Sequence, residues 1–324
     1  MNYPYQVSII IPFYNVATFI EKSARSLLNQ RFESIQYIFV DDASTDISLD
    51  LLKRLINEFP NRVEDITILE NKSNLGSSGS RNKGLEIVKG KYLTFCDGDD
   101  TIDENGILEM FNAIESSKAD ILWTDFYYSY PDSEKLSIQA VVEDKNEFIK
   151  NLLQEKVHGA LWNKLYKFSL FQDHKIKFIP NRDMWEDLYL NIQLFHFATK
   201  ITYLPKAYYH YVQFNSSSLG TRNNPKKLED ILFHCQAIIE FLAANSNKTY
   251  LNEIASLKFA AKQTLLFSTE INSFKRWITI YPEVNDQAFQ TNRLPLHLKT
   301  IAWLTSQNMW GIIKIWINIK NRKQ

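Results

Sequence analysis

The chain has 324 residues, of which 45% are apolar and 23% are charged. This composition is ordinary for a soluble protein, and the length allows one sizeable domain and an appendage. The only cysteines are Cys96 and Cys235, so the sequence argues against a disulfide framework and indicates a reducing compartment.

The net charge is zero, but the charges are divided unevenly along the chain. From Thr221 to the end, 14 Lys and Arg residues oppose 7 Asp and Glu residues. Because these basic residues are spread among apolar ones, we expect no nucleic-acid partner. We see no signal peptide after Met1, and no stretch reaches the ~20 apolar residues that a membrane span needs. We therefore expect a cytoplasmic protein.

Over the first hundred residues, four apolar runs alternate with helical patterns. The runs lie at 7–11, 36–40, 66–69 and 91–96, and each is rich in β-branched or aromatic residues. Strands that alternate with helices predict βαβ units, and so an α/β fold with a mostly parallel sheet. Polar pairs follow three of these strands at one edge: Tyr14 with Asn15, Asp41 with Asp42, and Asp97 with Asp99. That edge is where open α/β sheets bind ligands.

The stretch 91–103, KYLTFCDGDDTID, combines a buried-strand pattern with a dense group of carboxylates. Asp97, Asp99 and Asp100 would repel one another at the strand end. A divalent cation with oxygen ligands would relieve this repulsion and could carry a diphosphate. Gly98 is expected to let the backbone turn tightly between the aspartates. A solvated acidic turn is the alternative for this stretch taken alone.

The second half of the chain has a looser pattern. We expect a strand near 120–128, a helix over 184–197 that opens with Glu186 and Asp187, and a strand over 201–211. From about 225 the pattern is helical. The last apolar run, 301–320, fits an amphipathic helix, although Ile315, Ile317 and Ile319 also alternate as in a strand.

Four segments occur in a fixed order: VSIIIPFYN, FVDDASTD, NLGSSGSRNKGLEIVKGKYLTFCDGDD and WED. In this order and spacing they resemble the inverting family 2 glycosyltransferases of the GT-A fold, over about the first two thirds of the chain. The resemblance implies a Rossmann-like catalytic domain over 1–220, with a nucleotide-sugar half at about 1–105 and an acceptor half at about 106–220. A helical C-terminal region then covers 221–324.

The resemblance implies a UDP-sugar donor and a Mn²⁺ or Mg²⁺ cofactor. Asp99, with Asp97, would hold the metal that bridges the diphosphate. Arg81 would contact the phosphates or the donor sugar, with a surface salt bridge as its alternative. The donor-binding residues carried over in this way are Pro12, Tyr14 against the uracil ring, Asp42 at the uracil N3–H, Arg81, and Asp97 at the ribose.

On the acceptor side, the resemblance implies that Asp187, or else Glu186, acts as the base of a single, inverting displacement. A favourable charge in the first turn of a helix is the structural alternative for both residues. Trp162 and Lys164, in the segment WNK, would lie near the acceptor, and a core tryptophan is the alternative for Trp162.

The implied function is non-processive transfer of a hexosyl or N-acetylhexosaminyl group to a saccharide or lipid-linked saccharide in surface polysaccharide synthesis. Processive relatives carry a glutamine before RW, which the segment SFKRW at 273–277 lacks. The basic, Trp-bearing residues 301–324 could contact an anionic membrane at its inner face, or pack on the catalytic domain or a homodimer partner. An inactive glycan-binding scaffold and a nucleotidyltransferase are the rival functions.

Overall fold

The computed structural model describes residues 3–215, 226–246, 250–290 and 294–321. These residues belong to two compact units, 1–224 and 225–324. The boundary predicted between 220 and 221 lies outside the described residues, as do the last three residues of the predicted membrane-contacting tail.

The first unit contains a sheet with helices packed against it. Its strands are β1 (Tyr5–Phe13), β2 (Ile35–Asp41), β3 (Ile66–Glu70), β4 (Gly90–Phe95), β5 (Thr101–Ile102), β6 (Ile121–Tyr130), β7 (Ser133–Ser137), β8 (Lys164–Lys167) and β9 (Ile201–Val212). Its helices are α1 (Ile20–Leu28), α2 (Ser48–Ile56), α3 (Gly76–Leu85), α4 (Gly106–Ser117), α5 (Lys145–Leu153), α6 (Ser169–Asp173) and α7 (Glu186–Phe197).

Within the described residues, the sheet order is β3-β2-β1-β4-β8-β6-β9-β5, and β7 pairs with β6. The first four strands in this order are parallel, as the alternation of strands and helices predicts. The other half is mixed, because β8, β7 and β5 add antiparallel pairs while β6 and β9 run parallel. In the parallel half the order reverses between β1 and β4, and such a point is where this kind of sheet opens a ligand crevice.

Strand β1 shows how the crevice is built. It extends beyond the predicted 7–11 and includes Pro12, which pairs with Val40 of β2. The Pro12 carbonyl accepts a hydrogen bond from the Gly98 N–H (3.2 Å), which continues the contact between the two strands past Phe95, the last residue of β4.

Gly98 is required for close approach and not for a left-handed turn. A Cβ at this position would lie 2.6 Å from the Phe13 Cβ, which is closer than real contacts allow. Among the described glycines, only Gly76 has a positive φ. Gly98 also lies in the tight turn predicted between the aspartates, since the Asp97 carbonyl accepts from the Asp100 N–H (3.1 Å), and its small size lets the acidic loop pass directly over the end of β1.

The second unit is helical in its described parts. Its helices are α8 (Lys226–Asn245), α9 (Leu251–Gln263), α10 (Ile271–Thr279), α11 (Gln287–Gln290), α12 (Leu296–Ser306) and α13 (Trp310–Asn321). The SFKRW segment lies in α10, where Phe274 and Trp277 are fully buried in the core of this unit. Lys262 is buried with them, and its Nζ donates to the carbonyls of Ile280 (2.8 Å) and Tyr281 (3.0 Å).

The predicted final helix is present, but it is divided into α12 and α13. The break comes at Asn308, whose φ of 57° is left-handed. In α13, Ile313 and Ile317 are buried, while Ile315 is 61% exposed, so the strand alternative is wrong. Among the described residues, we find no helix with the length and apolar character required to cross a bilayer.

Candidate active site

The acidic loop after β4 is a built site and not a solvated turn. Asp100 has no exposed surface, and its Oδ1 accepts from the Val212 N–H (2.7 Å). Its Oδ2 accepts from the Tyr209 hydroxyl (2.7 Å), and this hydroxyl accepts in turn from the Asp97 N–H (3.1 Å). Burial, with Asp99 and Asp97 nearby, raises the pKa of Asp100 well above its ordinary value. Asp100 thus anchors the loop to β9.

Asp97 and Asp99 are partly exposed and face the crevice. Asp99 Oδ2 accepts from Asn215 Nδ2 (2.7 Å), and Asp97 Oδ1 is bonded to Arg81 Nη2 (2.9 Å). Burial and the charge of Asp97 raise the pKa of Asp99, against the lowering effect of Asn215. The repulsion expected from the sequence therefore acts on Asp99.

These residues fit a divalent cation that arrives with a diphosphate. Asp97 Oδ2 and Asp99 Oδ1 accept no hydrogen bond from another described residue, so one oxygen of each side chain is available. No group of three or more His, Cys, Asp or Glu side chains converges as a metal site in the described parts of the chain. Mg²⁺ characteristically uses one or two carboxylates and takes its other ligands from phosphates and water. A two-carboxylate site that the substrate completes matches this chemistry.

Asp42 lies at the end of β2 and is buried. Its Oδ1 accepts from Asn71 Nδ2 (2.9 Å) and from the Leu75 N–H (2.7 Å), and its Oδ2 accepts from the Gly76 N–H (2.9 Å). Asp42 therefore ties β2 to the start of α3. A lone pair at Oδ2 is left for the predicted hydrogen bond from the uracil N3–H.

Tyr14 is partly exposed in the loop after β1. The next residue, Asn15, has a φ of 53°, and its Oδ1 accepts from the Thr45 N–H (2.7 Å). The Asn15 N–H donates to Ser44 Oγ (3.1 Å). These bonds join the loops after β1 and β2, and they place Tyr14 and Asp42 at the same sheet edge, as predicted.

Arg81 on α3 bridges the acidic loop after β4 and the start of α7. Its side chain is 9% exposed, Nη2 pairs with Asp97 Oδ1 (2.9 Å), and Nη1 pairs with Glu186 Oε1 (2.8 Å). Burial opposes the charge of Arg81, but Asp97 and Glu186 outweigh it, so the pKa of the guanidinium is raised. The alternative of a surface salt bridge is wrong, because this is a buried bridge between two carboxylates.

Glu186 and Asp187 open α7, and their surroundings differ. Glu186 is buried and also accepts from Ser77 Oγ (3.1 Å), so its carboxylate is held by a cation and a hydroxyl. Asp187 Oδ1 accepts only from the Leu188 N–H (2.7 Å) among the described residues. Burial, and then the charge of Glu186, raise the pKa of Asp187 to about 7. A carboxylate with a pKa near neutrality can accept a proton from a hydroxyl group.

Lys164 and Trp162 are both in the interior. Lys164 has no exposed surface, and its Nζ donates to the carbonyls of His158 (2.9 Å) and Ala160 (2.5 Å). Burial lowers the pKa of Lys164 to about 7, although the negative charge of Asp187 acts in the opposite direction. Trp162 is 6% exposed and stacks on Tyr209, with ring centroids 4.3 Å apart. The core alternative for Trp162 therefore describes its position, and Lys164 holds the loop before β8.

A cavity of about 360 Å³ lies beside Asp187, and we call it the side cavity. Its walls come from the end of β7, the segment 152–159 and the start of α7. Trp185 and His158 line it, and sequence reasoning assigned neither a role. The available signal was the position of Trp185, directly before Glu186 and Asp187 in WED.

Comparison with known proteins identifies the fold and the family. The fold is that of S. aureus TarS 1–349, solved in complex with UDP-GlcNAc, with a TM-score of 0.69 and 19% identity over 95% of this chain and 90% of that one. The sheet is therefore that of a GT-A glycosyltransferase. The family model "Glycosyl transferase family 2" matches residues 8–175, and the chain belongs to this family. The family 2 membership, the fold class and the glycosyltransferase activity class predicted from the sequence are confirmed.

Two relatives show how far the sequence similarity extends. The cholesterol galactosyltransferase of Borreliella burgdorferi is 28% identical, over 72% of this chain and 70% of that protein. The poly(ribitol-phosphate) beta-glucosyltransferase of Bacillus spizizenii is 30% identical over 64% of this chain, but the match spans only 32% of that protein.

Proposed function

We propose that this glycosyltransferase moves a hexosyl or N-acetylhexosaminyl group from a UDP-sugar to a saccharide or lipid-linked saccharide in surface polysaccharide synthesis. The UDP-GlcNAc in the TarS complex supports the donor class. The names of the two relatives, which act on a sterol and on a ribitol-phosphate polymer, support acceptors of the cell envelope. We further propose that transfer is non-processive, on the basis of the missing glutamine before RW.

The observation that carries the proposal is the Arg81 bridge. One guanidinium bonds Asp97 of the acidic loop and Glu186 of α7, so carboxylates suited to a metal diphosphate lie close to the start of α7, where the neighbouring Asp187 is suited to proton removal. A sugar transfer from a nucleotide needs both functions around one anomeric carbon. Burial, and then the charge of Glu186, raise the pKa of the adjacent Asp187 to about 7, which suits a proton acceptor.

On the donor side, Tyr14 packs on the uracil ring, Asp42 accepts from its N3–H, and Asp97 binds the ribose. Asp99 and Asp97 would hold Mn²⁺ or Mg²⁺, which would supply positive charge for the departing diphosphate. Arg81 keeps Asp97 in place and adds a cationic field near the phosphates.

On the acceptor side, Asp187 is the base and Glu186 holds Arg81. The acceptor hydroxyl forms a bond to the anomeric carbon while the bond from that carbon to the UDP oxygen breaks. The hydroxyl proton passes to the carboxylate of Asp187, and UDP leaves with the electron pair of the broken bond. A single displacement of this kind inverts the configuration, and its transition state is oxocarbenium-like.

The test is UDP release from a panel of UDP-sugars with Mn²⁺, Mg²⁺ or EDTA. We expect one donor to be hydrolysed or transferred, with loss of turnover in EDTA. Asp187→Asn should abolish transfer, whereas Asp132→Asn, an exposed change in the turn between β6 and β7, should not. If no donor turns over and calorimetry finds no UDP binding in Mn²⁺, the catalytic proposal is wrong and a glycan-binding scaffold takes its place.

We also propose that the second unit contacts an anionic membrane surface. On α13, the side chains of Ile312, Ile315 and Ile319 are 44%, 61% and 52% exposed, and their spacing puts them on one helical face. From 294 to 321 the sequence contains Lys299, Lys314 and Lys320 but no Asp or Glu. An apolar face with basic neighbours is typical of helices that lie at a membrane interface. Co-sedimentation with anionic and with neutral vesicles tests this, and equal binding to both would contradict it.

A further inference from the structure

The side cavity has the size and chemistry of a site for one small molecule. Its volume of about 360 Å³ is at the lower end of the range for small-molecule sites, roughly 300–1,000 Å³. Apart from Asp187, its lining includes one acidic residue, Glu155, and one basic residue, Lys156. Apolar side chains such as Val157 and Leu188 complete the wall. A wall of mixed polarity, with one further charge of each sign beside Asp187, suits a neutral, hydroxyl-rich ligand better than an anion.

Trp185 presents an aromatic ring to this cavity. Its side chain is partly exposed and has no ring-stacking partner and no hydrogen bond among the described residues. Its backbone is left-handed, with φ 67° and ψ 13°, which is strained for a bulky residue. Strain of this kind is typical of functional sites. Trp162, which the resemblance placed on the acceptor side, has its face covered by Tyr209 instead.

His158 adds a neutral hydrogen-bond donor to the same wall. Its Nδ1 accepts from the Ala160 N–H (3.2 Å), so the ring proton is on Nε2. Burial, together with Lys164, lowers the pKa of His158 to about 4, which keeps the ring neutral at pH 7. The ring lines the cavity, and among the described residues its ring nitrogens make one hydrogen bond, the one at Nδ1, so the Nε2–H is available.

We propose that the side cavity binds the terminal pyranose of the acceptor, with Trp185 against its C–H face, His158 Nε2–H donating to one hydroxyl and Asp187 facing the attacking hydroxyl. This inference rests on the proposed function, since Asp187 is the base there. The site accepts a neutral pyranose. Trp185 and His158 select this sugar.

The test measures glycoside binding and transfer with the full chain. The probes are methyl β-glucopyranoside, methyl β-galactopyranoside and methyl N-acetyl-β-glucosaminide. Saturation-transfer NMR in the presence of UDP gives binding, and glycoside-dependent UDP release gives KM. Trp185→Asn removes the ring but suits the left-handed backbone, Trp185→Phe keeps an aromatic face, and His158→Phe removes the donor. Phe289→Ala, which removes an aromatic ring that is 49% exposed in α11, is the matched control.

We expect Trp185→Asn to weaken glycoside binding and raise KM by about tenfold. Trp185→Phe should stay within about threefold of the wild type, His158→Phe should weaken binding to an intermediate degree, and the control should match the wild type. The inference is overturned if no probe binds the wild type, or if Trp185→Asn binds a probe as the wild type does. Calorimetry of UDP with Mn²⁺ on the wild type separates the two proposals. If UDP binds but one of these two glycoside results is found, only the acceptor site is overturned. If UDP does not bind and no donor turns over, the catalytic function is overturned.

Discussion

Replacing Asp187 by Asn is expected to stabilise the protein at alkaline pH. Burial and Glu186 raise the pKa of Asp187 from 3.8 to about 7. Between these two values the folded state keeps a proton that the unfolded state has lost, so ionisation penalises folding more and more as the pH rises. The penalty is absent below about pH 4 and complete above about pH 7. At about 1.4 kcal/mol for each pKa unit, it reaches about 4 kcal/mol.

We expect Asp187→Asn to recover about 2–4 kcal/mol of unfolding free energy at pH 8, because solvent reduces the full figure at a partly exposed side chain. Asn retains the oxygen that accepts from the Leu188 N–H, so the start of α7 keeps its hydrogen bond. At pH 4.5 the gain should fall to about 1 kcal/mol or less, because this pH lies less than one unit above the ordinary pKa of 3.8.

Urea unfolding at both pH values, followed by circular dichroism, measures the effect through the midpoint and the slope. Asp132→Asn should leave the free energy of unfolding unchanged at both pH values, because Asp132 is exposed. An Asp187→Asn variant that is no more stable than the wild type at pH 8 would refute the reasoning. The same variant should lose transfer activity by at least ~100-fold, as expected when a general base is removed.

Three other changes test the donor site, the ion bridge and the C-terminal surface. Asp99→Asn should weaken UDP binding in Mn²⁺ by at least about tenfold in calorimetry and remove the difference between Mn²⁺ and EDTA. Arg81→Lys keeps the charge but cannot bond both carboxylates, so urea unfolding should show a loss of about 2–4 kcal/mol, part of which a second change, Glu186→Gln, should restore. Ile315→Asp should reduce co-sedimentation with anionic vesicles at least about fivefold, while Val63→Asp, at a position 47% exposed in the first unit, should not.

The parallel half of the sheet was predictable because each of its strands is a short apolar run that ends in polar residues. A strand buried on both faces must be apolar throughout, and its polar end marks the ligand edge. The antiparallel half was not predictable in this way, because pairings such as β8 with β4 depend on contacts distant in sequence. The break at Asn308 was also missed, although the polar run 305–308 and Gly311 mark it in the sequence.

The functional residues show the same limit. Arg81 and Glu186 are 105 positions apart, so no local pattern joins them. Until burial is known, the segments WNK and WED are equally plausible sources of a tryptophan that contacts the acceptor. Trp162 then lies against Tyr209 in the core, whereas Trp185 lines a cavity. Which of two aromatic rings is covered depends on the packing of distant strands, which single-sequence patterns do not encode.

The acidic loop shows how packing can give neighbouring, chemically identical residues different roles. Both carboxylate oxygens of Asp100 accept hydrogen bonds from β9, one from the Tyr209 hydroxyl and one from the Val212 N–H, and these bonds fix the loop. Asp97 and Asp99 each give one oxygen, to Arg81 and Asn215 respectively. One oxygen on each remains toward the crevice, so the two side chains can share a cation without either losing its anchor. The three aspartates therefore differ because β9, α3 and Asn215 supply them with different partners.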